Sequence, residues 1–222
     1  MATRYAAYRA LLGFACQAPV FALFALEHGA GVRDLTLFAL VFAAAKLVCD
    51  LPSGLLADRV GRRPAILIRI ALELASVAVL FDHRFLLSAG LAGAGCAFSS
   101  GAEAALVYEQ HPKDFARVFG RAASWGALST ALAALAGGAL ATVSFEAVYG
   151  LRLAVLLGAG GLSLGFPRGG APAVPVRNFR LPPALARGLA FAGLVGAVQV
   201  AALQLQPPYL RHIQFGVGLV QP

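Results

Sequence analysis

Of 222 residues, 59% are hydrophobic and only 13% charged, and the mean hydropathy is +0.78. Soluble domains carry roughly 25% charged residues, so this chain has too little polar surface to cover a water-facing globule and its solvent must be lipid. The net charge of +8 does not mark a nucleic-acid binder, because the basic residues recur in short connectors between apolar runs rather than on one face or tail.

A bilayer core of about 30 Å asks for about 20 helical residues. Segments of that kind are predicted at about 8–27, 34–56, 64–81, 84–108, 120–143 and 147–166. They group as a six-helix transmembrane bundle over 1–166. A Pro/Gly/Arg-rich linker over 167–184 follows, then a seventh helix (about 185–206) within 185–210, and a short tail over 211–222. The first run is uncharged over 17 residues, Ala10–Leu26, longer than a signal peptide's apolar region, and is read as a retained helix. No period-2 alternation runs through these segments, which excludes a barrel. The fold class expected is all-α integral membrane.

Orientation follows from the connectors. Twelve of the eighteen Lys and Arg fall in the N-terminus, the 59–63 turn, the 113–121 connector and the 167–187 region, and three (Arg33, Arg84, Arg211) fall on the other side. The positive-inside bias then predicts a multi-pass protein of a cell inner membrane with a cytoplasmic N-terminus. Glycines are dense in the fourth and fifth segments (Gly90, Gly93, Gly95, Gly101, Gly126, Gly137, Gly138) and are expected to let helices pack closely. Cys16, Cys49 and Cys96 lie apart inside apolar runs, without CxxC spacing, and read as inert thiols. Neither these nor the four scattered histidines make a metal site, and no cofactor is expected.

Residues 54–64 read Gly-Leu-Leu-Ala-Asp-Arg-Val-Gly-Arg-Arg-Pro. A compact turn with three arginines between two membrane-length runs has no place in a soluble core. Gly61 permits the turn, Pro64 suits the first turn of the next helix, and Asp58 is placed to meet a helix N-terminus. The stretch resembles the Gly-x-Leu-Ala-Asp-Arg-x-Gly-Arg-Arg/Lys signature between the second and third helices of major facilitator superfamily transporters. Ser99–Glu109 and Asp50–Gly54 are similar to a bacterial, drug-efflux-like or uncharacterised branch of that family. The resemblance implies twelve helices in two six-helix halves. It also implies a cytoplasmic conformational latch at Gly54, Asp58, Arg59, Gly61, Arg62 and Arg63. Two departures weaken proton-coupled drug export: Ala89 stands where many members have Arg, and Gly137-Gly138 lacks a partnering proline.

Ionisable groups inside spans are functional candidates by default. Lys46 and Asp50, and Arg69 and Glu73, are spaced i,i+4 and can neutralise each other on one helix face. Glu103 lies deeper, without a basic residue nearby in sequence. The candidate substrate or proton residues are therefore Glu103, Asp50, Gln17, Arg69 and Glu73, with Gln199 and Gln204 as further polar groups at depth.

The function expected is secondary active transport of a small organic solute by alternating access, by the N-terminal part of a longer transporter. The chain stops after the seventh helix, which predicts a truncated frame or fragment, or a half-size protein pairing with itself. The partners expected are the bilayer, a solute, and a second transporter half or a second copy; nucleic acid is not among them. The alternatives are a non-transporting membrane module, a partner subunit or an inactive product. An enzyme is disfavoured: a lipid phosphotransferase would need an Asp-x-x-x-Asp pair to hold metal, and none occurs.

Overall fold

The computed structural model describes residues 1–168, so the seventh helix, most of the linker, Gln199, Gln204 and the tail lie outside the described residues. Within them the chain is helical throughout: α1 (Ala2–Gly13), α2 (Phe21–Glu27), α3 (Val32–Val60), α4 (Arg62–Leu80), α5 (Phe85–Gln110), α6 (Phe115–Ala141) and α7 (Phe145–Leu164). Three of these, α5, α6 and α7, are individually long and apolar enough to cross a membrane, and α3 joins them if its two bent parts count as one span. The span formed by α4 carries Arg69 and Glu73 at its middle, which lowers its hydropathy.

The first span differs from the expected continuous helix over 8–27. It begins at Ala2 and breaks between Gly13 and Phe21. Pro19 is the local cause: it has no N–H to donate, and its ring excludes the carbonyl four residues back. The chain turns through the gap on tight bonds, Ala18 N to Ala15 O at 3.0 Å and Val20 N to Gln17 O at 3.2 Å. In α3 a second proline, Pro52, leaves the helix continuous and bends it by 47° between Val32–Asp50 and Pro52–Val60. Gly61 then ends α3 and caps α4 at φ 99°, a conformation that a residue with a Cβ rarely adopts.

Taking α1 and α2 as one span, the six spans pack in a pattern that repeats when the first three are exchanged for the last three. The close pair α3–α5 exchanges with α1–α6, α4–α5 with α1–α7, α3–α4 with α6–α7, and α2–α3 with α5–α6, while α4–α7 maps to itself. The two closest crossings match in detail. A Cβ on Gly93 of α5 would strike the Phe42 carbonyl of α3, and one on Gly13 of α1 would strike the Gly126 carbonyl of α6. At each crossing a hydroxyl bridges the helices: Ser53 Oγ to Ala97 O at 3.1 Å, and Thr130 Oγ1 to Gly13 O at 2.9 Å. Small residues and hydroxyls hold helices together where burying apolar surface gains little over lipid.

One end of the bundle gathers residue 1, the Gly61 turn, the 111–114 connector and residues 165–168. Arg4 Nη1 donates to Gly165 O there at 2.7 Å. The opposite end gathers the 28–31, 81–84 and 142–144 turns, where the rings of His28 and His83 stack at 4.6 Å.

Candidate functional site

Two polar systems stand out in the bundle, one buried and one at the end that carries the Gly61 turn. The buried one is centred on Glu103 of α5, which is 3% exposed. Both its oxygens are fully engaged. Oε1 accepts from Arg69 of α4 and from the Tyr8 hydroxyl at 3.1 Å, and Oε2 accepts from Arg9 at 3.0 Å, with the Tyr5 hydroxyl at 3.5 Å. Arg69 Nη2 lies 3.5 Å from Glu73 Oε1, and Glu73 Oε2 lies 3.2 Å from Arg152 Nη2 of α7. Arg152 Nη1 donates to the carbonyls of Leu12 at 3.1 Å and Phe14 at 3.0 Å. Those are carbonyls that the broken first span leaves without helical donors.

The result is a ladder of alternating charge, Arg9–Glu103–Arg69–Glu73–Arg152. It runs from one end of the bundle to the break in the first span and joins α1, α4, α5 and α7. Three guanidiniums face two carboxylates, and the two main-chain carbonyls at Arg152 take up part of the remaining positive charge. A buried charge in lipid is tolerated only when partnered in this way. The rings of Tyr5, Tyr8 and Phe166 pack around the Glu103 end, Tyr8 and Phe166 edge to face at 5.2 Å.

Four buried polar atoms near the ladder have no hydrogen-bond partner among the described residues: Gln17 Oε1, Tyr149 Oη, and Nε of Arg69 and of Arg152. Gln17 and Tyr149 flank the break, where Cys16 Sγ donates to the Val148 carbonyl at 3.4 Å. The third and fourth spans meet Asp50 and Lys46 of α3 around Cys96, whose thiol is within electrostatic reach of Lys46, Arg69, Glu73 and Asp50.

The second system is the 54–64 turn. Arg62 Nη1 pairs with Asp58 Oδ1 at 2.5 Å, and Arg62 Nε with Glu109 Oε1 of α5 at 3.2 Å. Asp58 thus meets a guanidinium of its own turn. Among the described residues Arg59 and Arg63 make no ion pair, and a Cβ on Gly54 would meet no atom within 4 Å beyond its own stretch of helix.

A family model described as Major Facilitator Superfamily matches residues 10–221. The chain belongs to the major facilitator superfamily. It is a multi-pass membrane protein of a transporter family; its function is transmembrane transport, its surroundings are the lipid bilayer, and its substrate is a small molecule. No individual curated protein matches the chain in a sequence search.

The structure brings Glu103, Arg69 and Glu73 into one network, sets Asp50 beside it, and leaves Gln17 at the break. Glu103 has basic partners after all: they come from 34 and 94 residues away in sequence, out of reach of a search for i,i+4 pairs. Tyr5, Tyr8, Arg9 and Arg152 were not singled out from sequence. The i,i+3,i+4 spacing of Tyr5, Tyr8 and Arg9 puts all three on one helix face, a signal that was present but straddled the expected start of the span at about 8.

Proposed function

We propose that the six spans of residues 1–166 act as one half of a secondary transporter that moves a small organic solute by alternating access. In this reading 167–184 is a cytoplasmic linker, 185–210 a seventh span and 211–222 a tail. The N-terminus lies in the cytoplasm of a bacterial inner membrane. The observation that carries the reading is the exchange-symmetric packing of two three-span units, the architecture on which rocking of a half around a central site rests.

The turn residues Gly54, Asp58, Arg59, Gly61, Arg62 and Arg63 serve as the conformational latch. The exposed faces of Gly54, Arg59 and Asp58 support that role, because they leave room for a docking surface at this end. Glu103, Arg69 and Glu73 hold the half rigid, since every Glu103 oxygen is already taken by the protein's own donors. Gln17, whose acceptor oxygen has no partner among the described residues, is placed to meet solute, and Asp50, a carboxylate at membrane depth, is the second candidate for solute or a proton.

The test is flux in proteoliposomes over a panel of labelled organic cations, anions and neutral solutes, with and without a second six-helix half supplied in trans. Saturable flux of one class in either arrangement supports the reading. No flux in both overturns it in favour of a non-transporting membrane module.

A further inference from the structure

We propose that the break in the first span, where it meets Tyr149 and Arg152 of α7, holds a chloride ion inside the six-helix half. Charge is the first observation. The ladder sets three guanidiniums, Arg9, Arg69 and Arg152, against two carboxylates, Glu103 and Glu73. Lys46 and Asp50, which reach the same Cys96 thiol as Arg69 and Glu73, add one charge of each sign. One positive charge is left over. The Arg9 side chain is 31% exposed and shares its charge with solvent. Arg152 is 4% exposed, and its carboxylate among the described residues, Glu73, is divided between it and Arg69. The excess therefore falls at Arg152, where an uncompensated cation is costly.

Unpartnered donors are the second observation. Arg152 commits its terminal nitrogens to Glu73 and to the Leu12 and Phe14 carbonyls, and its Nε–H has no partner among the described residues. One turn earlier on the same face of α7, the hydroxyl of Tyr149, a residue 1% exposed, has none either. Both side chains lie within electrostatic reach of the Cys16 thiol, which is held on the Val148 carbonyl, so they converge on one stretch of the break. Gln17, the next residue, adds an amide with an unpartnered buried oxygen. A half-turn of that amide exchanges its oxygen and nitrogen, so it offers either an acceptor or two donors.

These features select the occupant. Orphaned buried polar groups call for a water or an ion. A metal cation is excluded by Arg152, whose guanidinium already sits on the carbonyls of the break. A water would satisfy the donors and leave the charge uncompensated. The carboxylate or phosphate end of a solute would need an opening, and Tyr149 and Arg152 are both closed off. A small monovalent anion accepts from the Arg152 Nε–H, the Tyr149 hydroxyl and the turned Gln17 amide, and it cancels the single excess charge. This inference is independent of which solute is carried.

The test reads stability rather than flux: thermal unfolding of the full 222-residue chain in detergent, followed by helical circular dichroism, in sodium chloride, bromide, acetate or gluconate at fixed ionic strength. For wild type, each tenfold rise in chloride above its dissociation constant should lift the melting temperature by about 3–6 °C, and bromide should act likewise. Tyr149→Phe, which removes one oxygen, should weaken chloride at least about tenfold, the effect of losing a hydrogen bond to a charged group. In gluconate the same variant should melt at or above wild type, because it deletes a buried hydroxyl that then has no partner. Tyr108→Phe, at a residue 58% exposed, should follow wild type in every salt. A wild-type melting temperature that ignores the anion overturns the proposal. So does a Tyr149→Phe loss of the same size in chloride and gluconate, which would place a water there. An undiminished chloride response in Tyr149→Phe overturns it, and so does an equal rise with acetate, which would make the break a pocket for a carboxylate group.

Discussion

Replacing Glu103 with Gln tests whether the charge ladder is a structural spine. The substitution preserves size and removes one charge from a side chain that is 3% exposed. It also puts an NH₂ group where two arginines and two tyrosine hydroxyls donate, so at least one donor loses its acceptor. Orphaning a buried charge costs about 3–5 kcal/mol. Two features of the site place the value at the lower end. The Arg9 side chain is 31% exposed and can turn to water, and Arg69, 11% exposed, still has Glu73. About 3 kcal/mol is therefore expected, which for a chain of this length lowers the melting temperature by roughly 6–12 °C. Thermal unfolding in detergent, followed by the fluorescence of the single tryptophan, Trp125, measures it directly. Glu109→Gln is the matched control, because its side chain is 25% exposed and Arg62 keeps Asp58; a loss under about 1 kcal/mol is expected there. Combining Glu103→Gln with Arg69→Met should cost less than the two single changes added, since the second removes the charge that the first exposes. A Glu103→Gln melting temperature within about 2 °C of wild type would refute the reasoning.

Other predictions concern the crossings, the latch and the bend. Gly137→Ala should destabilise by about 1–3 kcal/mol, because a Cβ there strikes the Cys16 carbonyl, whereas Gly138→Ala has open space and should be neutral or slightly stabilising; equal melting temperatures for the two would contradict the packing. Asp58→Asn should change stability by less than about 1 kcal/mol, since Asp58 is 50% exposed, yet slow solute flux when a second half is present. Unchanged flux removes the latch role. Pro52→Ala should relax the 47° bend of α3 and lengthen the distance between spin labels at Leu40 and Leu56, and an unchanged distance distribution would show that packing, not the proline, sets the bend.

What could be read from the residues alone was local. The Gly61 turn is encoded by a glycine that the backbone requires and by Arg62 and Arg63, which open the next helix. The Arg69–Glu73 contact lies within one helix, so its four-residue spacing was enough to find it. Glu103 was recognised as a buried charge, but its partners sit on two other helices, and nothing in the spacing along α5 indicates which faces of α1 and α4 it meets. The broken first span was missed for a related reason: the apolar run is continuous across Pro19, and hydropathy is blind to a missing N–H. The carbonyls exposed by that break also explain Arg152, which from sequence was only a charge inside a span.

The division of labour among the spans follows from which helices the bonds join. The ladder's hydrogen bonds run through α1, α4, α5 and α7, the first, third, fourth and sixth spans. The second and fifth spans, α3 and α6, attach instead at the glycine crossings and through the hydroxyls of Ser53 and Thr130. These two are exchanged for each other by the internal symmetry. A rocking half has to keep its shape while its surface changes partners, and close-packed interiors meet that need by switching between discrete arrangements rather than deforming. A buried ladder whose carboxylate oxygens are all engaged resists deformation, because separating any one pair exposes two charges to lipid. The hydroxyl bridges themselves are uncharged, so a small slide of α3 or α6 breaks weaker bonds there than separating a pair of the buried ladder would. In the proposed reading, the cycle's movements therefore pass through α3, with its Pro52 bend and the Gly61 turn, and through α6, while the other four spans travel as a rigid unit.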